Sequence, residues 1–204
     1  MDEDSSLQNQ IVALVTQIST NSTDDAITFG EGIIKEIITQ DKYALCFLKY
    51  LNRIRGDIIT SQSAPFTLIC NILSGILDML YKHNGKFRKV HSEICNYIIL
   101  IAQTVYKEEK KDNNILSEFI YKHPLWKTEI WWNVILYVLF QDQDNKTSNN
   151  EHTSDKSELQ SRREYLMILS VLISFKCSMI SFHCNDKLYI IENIAKCYDI
   201  KEKI

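Results

Sequence analysis

Residues 123–140, "HPLWKTEIWWNVILYVLF", decide how this sequence is read. Pro124 lacks an amide hydrogen and disfavours helical geometry at His123, so a preceding helix must stop there. The same ring presets the backbone for a first helical turn, which predicts that a new helix opens at Pro124. From Ile130 to Phe140 only Asn133 is plainly polar. On a helix, Trp126, Ile130, Val134 and Tyr137 form one stripe. Trp131, Ile135 and Val138 form a second, and Trp132, Leu136 and Phe140 a third. Three apolar stripes leave no face for solvent, so this segment is expected to be a central helix with neighbours on all sides. Asn133, where buried in such a helix, needs a hydrogen-bond partner. The run falls short of the roughly 20 residues that span a bilayer.

The rest of the chain supports a helical body. Only 5 glycines and 2 prolines occur in 204 residues, too few for the tight turns of a sheet protein this size. All-α is therefore the expected class. Hydrophobic residues make up 45% and charged residues 24%, the balance of a globular chain with its own core. The net charge of −3 gives no overall pull towards nucleic acid or anionic lipid. The N-terminal "MDEDSSLQNQ" has neither the basic region nor the apolar core of a signal peptide. A cytoplasmic chain with six reduced cysteines is expected.

About nine helices follow from periodicity. Leu7, Ile11, Leu14, Val15 and Ile18 mark a short amphipathic helix within an N-terminal segment, 1–22. A single helical domain, 23–204, comes after it, its halves 23–111 and 112–204 sharing a core. Thr23 or Asp24 is a candidate cap for a helix reaching about Thr39, and Asp41 a candidate cap for the next. In that next helix Ala44, Phe47, Leu48, Leu51 and Ile54 form one stripe, with Gly56 a plausible stop. "FTLICNILSGILDMLYKH" is expected to form a helix opened by Ser63 and Pro65, and "KFRKVHSEICNYIILIAQTVYKEEKK" another, running to Lys111. A short helix covers "NNILSEFIYKH". Residues 141–158 are too polar to pack and are expected as a mobile loop. A long apolar helix over "RREYLMILSVLISFKCSMISF" follows, and a last one capped by Asn185 or Asp186.

Chemistry-bearing patterns are sparse. Cys177, His183, Cys184 and Cys197 lack the paired spacing by which a turn converges on zinc. No cysteine sits at an evident helix N-terminus that would acidify it. "GEG" at 30–32 lacks the remainder of a phosphate-binding loop. The sequence thus nominates no catalytic residue, no cofactor and no metal ligand. Arg88 and Lys89 within "KFRKVH" form a basic patch able to meet acidic groups. Arg53 and Arg55 end a helix, where cations oppose its negative pole. Trp126 and Trp132 are the aromatic anchors to consider, since aromatics hold the centres of interfaces.

"FIYKHPLWKTEIWWNVILY" also resembles a segment of a helical region in the SET-binding-factor proteins, the myotubularin-related pseudophosphatases. In them it lies between the DENN exchange module and the lipid-binding and phosphatase-like part. "FGEGIIKEIITQDKYALCFLKYLNRIR", "APFTLICNILSGILDML" and "YLMILSVLISFKCSMISFHCNDKLYIIENIAKCYDI" resemble other parts of that region in the same order, covering residues 29–200. Pro124, Trp126 and Trp132 are the sharpest matches. The resemblance carries no catalytic residue. It implies a non-enzymatic adaptor or scaffold beside Rab regulation, membrane traffic or the cytoskeleton, peripheral to endomembranes.

Function is therefore expected to be the binding of another protein, with Trp126, Trp132, Arg53 and Arg55 at the contact. A small-GTPase effector of RUN-like helical type, using Arg88 and Lys89, is the alternative. A thiol enzyme with a Cys/His pair is a third.

Overall fold

The computed structural model describes residues 3–20, 32–55, 59–60, 63–83, 88–107, 114–129, 131–133, 158–181, 184–197 and 200. The chain divides into two compact units, Met1–Leu125 and Trp126–Ile204.

In the first unit, α1 (Glu3–Thr20) is longer than the short helix expected and buries Ile11, Leu14, Val15 and Ile18. Residues 32–37 form α2; the proposed caps at Thr23 and Asp24 lie outside the described residues. Next comes α3 (Asp41–Ile54), which buries Ala44, Phe47, Leu48 and Leu51 at the i, i+3, i+4, i+7 spacing read from the sequence. Its N-cap is Gln40, so Asp41 is the first helical residue and not the cap. α3 packs against α1, where Asp4 pairs with Lys42 and accepts a hydrogen bond of 2.9 Å from the Tyr43 hydroxyl.

A wide apolar face runs along α4 (Ser63–Lys82), including Phe66, Ile69, Leu73, Ile76, Leu77 and Leu80. Gly75 brings that helix close to Ile38: a Cβ added there would stand 2.7 Å from Ile38 Cγ2. α5 (Lys89–Thr104) buries Ile94, Cys95, Ile98, Ile99, Ile101 and Ala102, and packs extensively on α3. It stops well short of Lys111. At Val105 the backbone turns extended, with φ −88° and ψ 127°. The β-branched Val105 and the aromatic Tyr106 suit that extended geometry better than a helix.

Three two-residue strands follow from this exit: β1 (Ile59–Thr60), β2 (Tyr106–Lys107) and β3 (Asn114–Ile115). β2 lies between the others, parallel to β1 with Ile59 opposite Tyr106, and antiparallel to β3 with Tyr106 opposite Ile115. This patch is a local addition to an all-α fold. Its third strand takes Asn114 and Ile115 from the start of the expected sixth helix, leaving α6 as Leu116–Ile120.

Pro124–Lys127 form a 3-10 turn, and helix resumes as α7 at residues 131–133. Pro124 therefore opens a separate tight turn, a correction to the single helix expected from 124 onward. Val134–Phe140 and residues 141–157, with most of the expected loop, lie outside the described residues. α8 begins at Glu158 and runs to Ser181, so its start is earlier than expected. Cys184 holds the N-cap position of a 3-10 turn, Asn185–Lys187, without a side-chain cap bond, so the expected caps Asn185 and Asp186 lie inside that turn and not at the head of α9 (Tyr189–Cys197), which buries Ile190, Ile191 and Ala195. α8 and α9 pack together in the second unit.

Candidate functional site

The indole group is the first place to test for a site. Trp126, Trp131 and Trp132 are all fully buried. Trp126 meets Trp132 with ring centroids 5.6 Å apart and Trp131 at 6.4 Å, while Trp132 meets Phe175 of α8 edge-on at 6.4 Å. Trp132 Nε1–H donates to the Trp126 carbonyl at 2.7 Å, and the Cys184 thiol donates to the same oxygen at 3.2 Å. Trp126 and Trp132 consequently present no surface groove to a partner: this overturns their expected role as exposed anchors, because rings without water contact cannot gain by further burial. Asn133, in contrast, is exposed and needs no buried partner.

The cysteines are free thiols, and the most enclosed are the least acidic. Burial raises the Cys95 thiol well above its ordinary value, and Cys70 to about 11. Cys184 is raised too, by burial and then by Asp186. Each shift disfavours the reactive thiolate. Cys177 and Cys197 are exposed, and His183 lies outside the described residues.

A polar cluster that periodicity does not reveal sits where three helices of the first unit end. Asp41 begins α3, His83 follows the last turn of α4, and Arg88 and His91 open α5. His91 is 0% exposed, yet both ring nitrogens are engaged. The Arg88 amide donates to Nδ1 at 3.1 Å, and the His91 amide donates back to the Arg88 carbonyl at 2.9 Å. Histidine in the third helical position thus supplies the return half of a capping box, accepting from the N-cap amide, while the Arg88 side chain carries donors only. Since Nδ1 accepts, the hydrogen of the neutral ring lies on Nε2, which donates to Asp41 Oδ2 at 3.0 Å. Arg88 Nη2 pairs with the same oxygen. Asp41 Oδ1 is buried without a hydrogen-bond partner among the described residues, with His83 Nε2 3.8 Å away. The His83 and His91 rings stack at 4.6 Å and 28°. Desolvation holds the His91 imidazole below its ordinary 6.5, against the opposing pull of Asp41.

One ligand atom from each of Asp41, His83 and His91 falls within 4.8 Å of the others, a spacing that can suit a metal ion. The hydrogen bonds argue otherwise. A ligating histidine donates through its second nitrogen, whereas His91 Nδ1 accepts from a backbone amide, which keeps Nε2 protonated. Among the described residues, only Asp41 Oδ1 and His83 remain open, fewer than the three protein ligands of a typical zinc site. The cluster is a proton-holding arrangement.

Of the basic residues singled out from sequence, Arg88 spends its charge on Asp41, and Lys89 is exposed beside it. Arg53 stacks over the Tyr50 ring at 5.2 Å. Arg55 is half-buried, and its Nη1 has no hydrogen-bond partner among the described residues. These arginines belong to the first unit, and Trp126 and Trp132 to the second.

One further surface stands out in the second unit. On α8 the positions Leu166, Ser170, Ile173, Cys177 and Ile180, spaced alternately four and three apart, are all exposed. Leu166 is 53% exposed and Ile173 and Ile180 each 46%. Leu172, Phe175 and Met179 on the other side are buried.

Fold and site together define an all-α protein with a histidine-capped helix junction in one unit and an indole core in the other. No protein-family model, no curated protein and no solved structure matches the chain. Among the described residues, no helix is long and apolar enough to cross a membrane.

Proposed function

We propose that this chain is a helical protein-interaction module that receives an amphipathic partner helix along the outer face of α8. The observation that carries the reading is the exposed row from Leu166 to Ile180, with large apolar side chains recurring every seventh residue. A sevenfold apolar repeat is the seam by which two helices wrap around one another. Ser170 and Cys177 between these positions are small enough to let a second backbone approach. Burying the exposed part of each large side chain contributes on the order of 1 kcal/mol, so three support a reversible contact. The proposed setting beside membrane traffic and Rab regulation rests on the resemblance carried by Pro124, Trp126 and Trp132.

A photo-crosslinking residue at position 173 of the full chain tests the docking face. The expected product is a discrete adduct with another polypeptide that Leu166→Asp abolishes. Labelling confined to the chain's own residues, or an adduct indifferent to Leu166→Asp, overturns the proposal.

A further inference from the structure

We propose that His91 is a proton-operated latch: neutral, it fastens the start of α5 to the start of α3, and protonation on Nδ1 releases the Arg88 amide and loosens that junction. The geometry makes the two states unequal. Neutral His91 has one acceptor and one donor, and it meets one donor, the Arg88 amide, and one acceptor, Asp41 Oδ2. A second proton leaves the Asp41 contact intact but sets an N–H of the ring against the N–H of Arg88. That amide then faces a donor and loses its side-chain acceptor. Charge acts in the same direction, since an imidazolium in the first turn of α5 faces the positive pole of that helix.

The groups that face the ring come from all three helices: Asp41 on α3, His83 at the end of α4, and Arg88 on α5. Asp41 favours the imidazolium, while Arg88 and His83 oppose it. Burial is the largest influence, and it favours the neutral ring. The open chain therefore binds this proton at a higher pH than the folded one. Stability from the neutral ring is fully present above the ordinary 6.5, and it is lost as pH falls from there towards the lowered folded value. The latch is a local event at the start of α5, and a local probe is needed to see it.

Amide hydrogen exchange of the full chain between about pH 7.5 and about pH 5.5, corrected for intrinsic rates, provides that probe. Protection of the Arg88 amide is expected to fall by up to about tenfold per pH unit once the window is entered. His91→Gln supplies the control, because glutamine at the third helical position can accept from the same amide and does not titrate. The variant is expected to keep protection at the upper pH and to lose the pH dependence. An unchanged dependence in His91→Gln overturns the latch. Should the variant fail to fold, nitrogen chemical shifts of the His91 ring in the unaltered chain decide. Hydrogen on Nε2 at neutral pH, with titration that coincides with the loss of Arg88 protection, is expected; hydrogen on Nδ1 overturns it. Adding zinc chloride at the upper pH is expected to leave protection unchanged. A rise that a chelator reverses and that His91→Gln removes assigns the cluster to metal and also overturns the latch.

Discussion

Around His91 the buried polar atoms belong to an imidazole and a carboxylate, whereas around Trp132 they belong to an indole, a thiol that burial keeps protonated and a backbone carbonyl. In the first unit Asp41 accepts from His91 Nε2 and from Arg88, and the imidazole accepts from an amide. In the second, one carbonyl, that of Trp126, accepts from both the Trp132 indole and the Cys184 thiol. The two clusters hydrogen-bond buried polar groups in different ways, with different dependence on conditions. An indole N–H keeps its proton throughout the range in which proteins fold. An imidazole does not. The difference teaches that stability here has a proton-sensitive part and a proton-blind part, divided along the chain.

Replacing the largest member of the blind part gives the greatest expected loss. Trp132→Ala removes a fully buried ring and one of the donors to the Trp126 carbonyl, and should cost about 3–5 kcal/mol in chemical denaturation of the full chain. The loss is expected to be equal at neutral and mildly acidic pH; a marked pH dependence would break the comparison. Asp41→Ala comes next. It strands the buried His91 Nε2–H, for an expected cost of about 1–3 kcal/mol at neutral pH, read in the same denaturation. Smallest is Arg88→Ala, about 0–1 kcal/mol, because that side chain is 67% exposed and its pairing with Asp41 is screened by water. A loss from Arg88→Ala as large as that from Asp41→Ala would show that the guanidinium, and not the imidazole, holds the α3–α5 junction.

What the sequence revealed and what it hid follow from distance along the chain. The buried stripe of α3 was legible because Ala44, Phe47, Leu48 and Leu51 lie within two helical turns of one another. The end of α5 was not, because Tyr106 leaves the helix to pair with Ile59 and Ile115, and nothing local announces those partners. The His91–Asp41 contact spans 50 residues, beyond any local pattern. A trace of it was nonetheless present. A residue with a side-chain acceptor three positions after Arg88, at the head of an apolar helix, has the spacing of a capping box. For the tryptophans, composition announced burial but not the turn at Pro124–Lys127 that separates Trp126 from its neighbours. α8 was readable as a helix, yet apolar residues on both sides concealed which of them would face outward.

The approach of Gly75 to Ile38 has a consequence for how this chain tolerates change. The seam there admits a hydrogen atom and no methyl group, and the side chain that would have to yield is β-branched, with little rotational freedom. Any larger residue at position 75 acts as a wedge between α4 and the end of α2, even alanine, the best of helix formers. Local helix preference and tertiary fit thus pull in opposite directions at this one residue. Glycine survives in mid-helix here because the neighbour leaves it no room to grow.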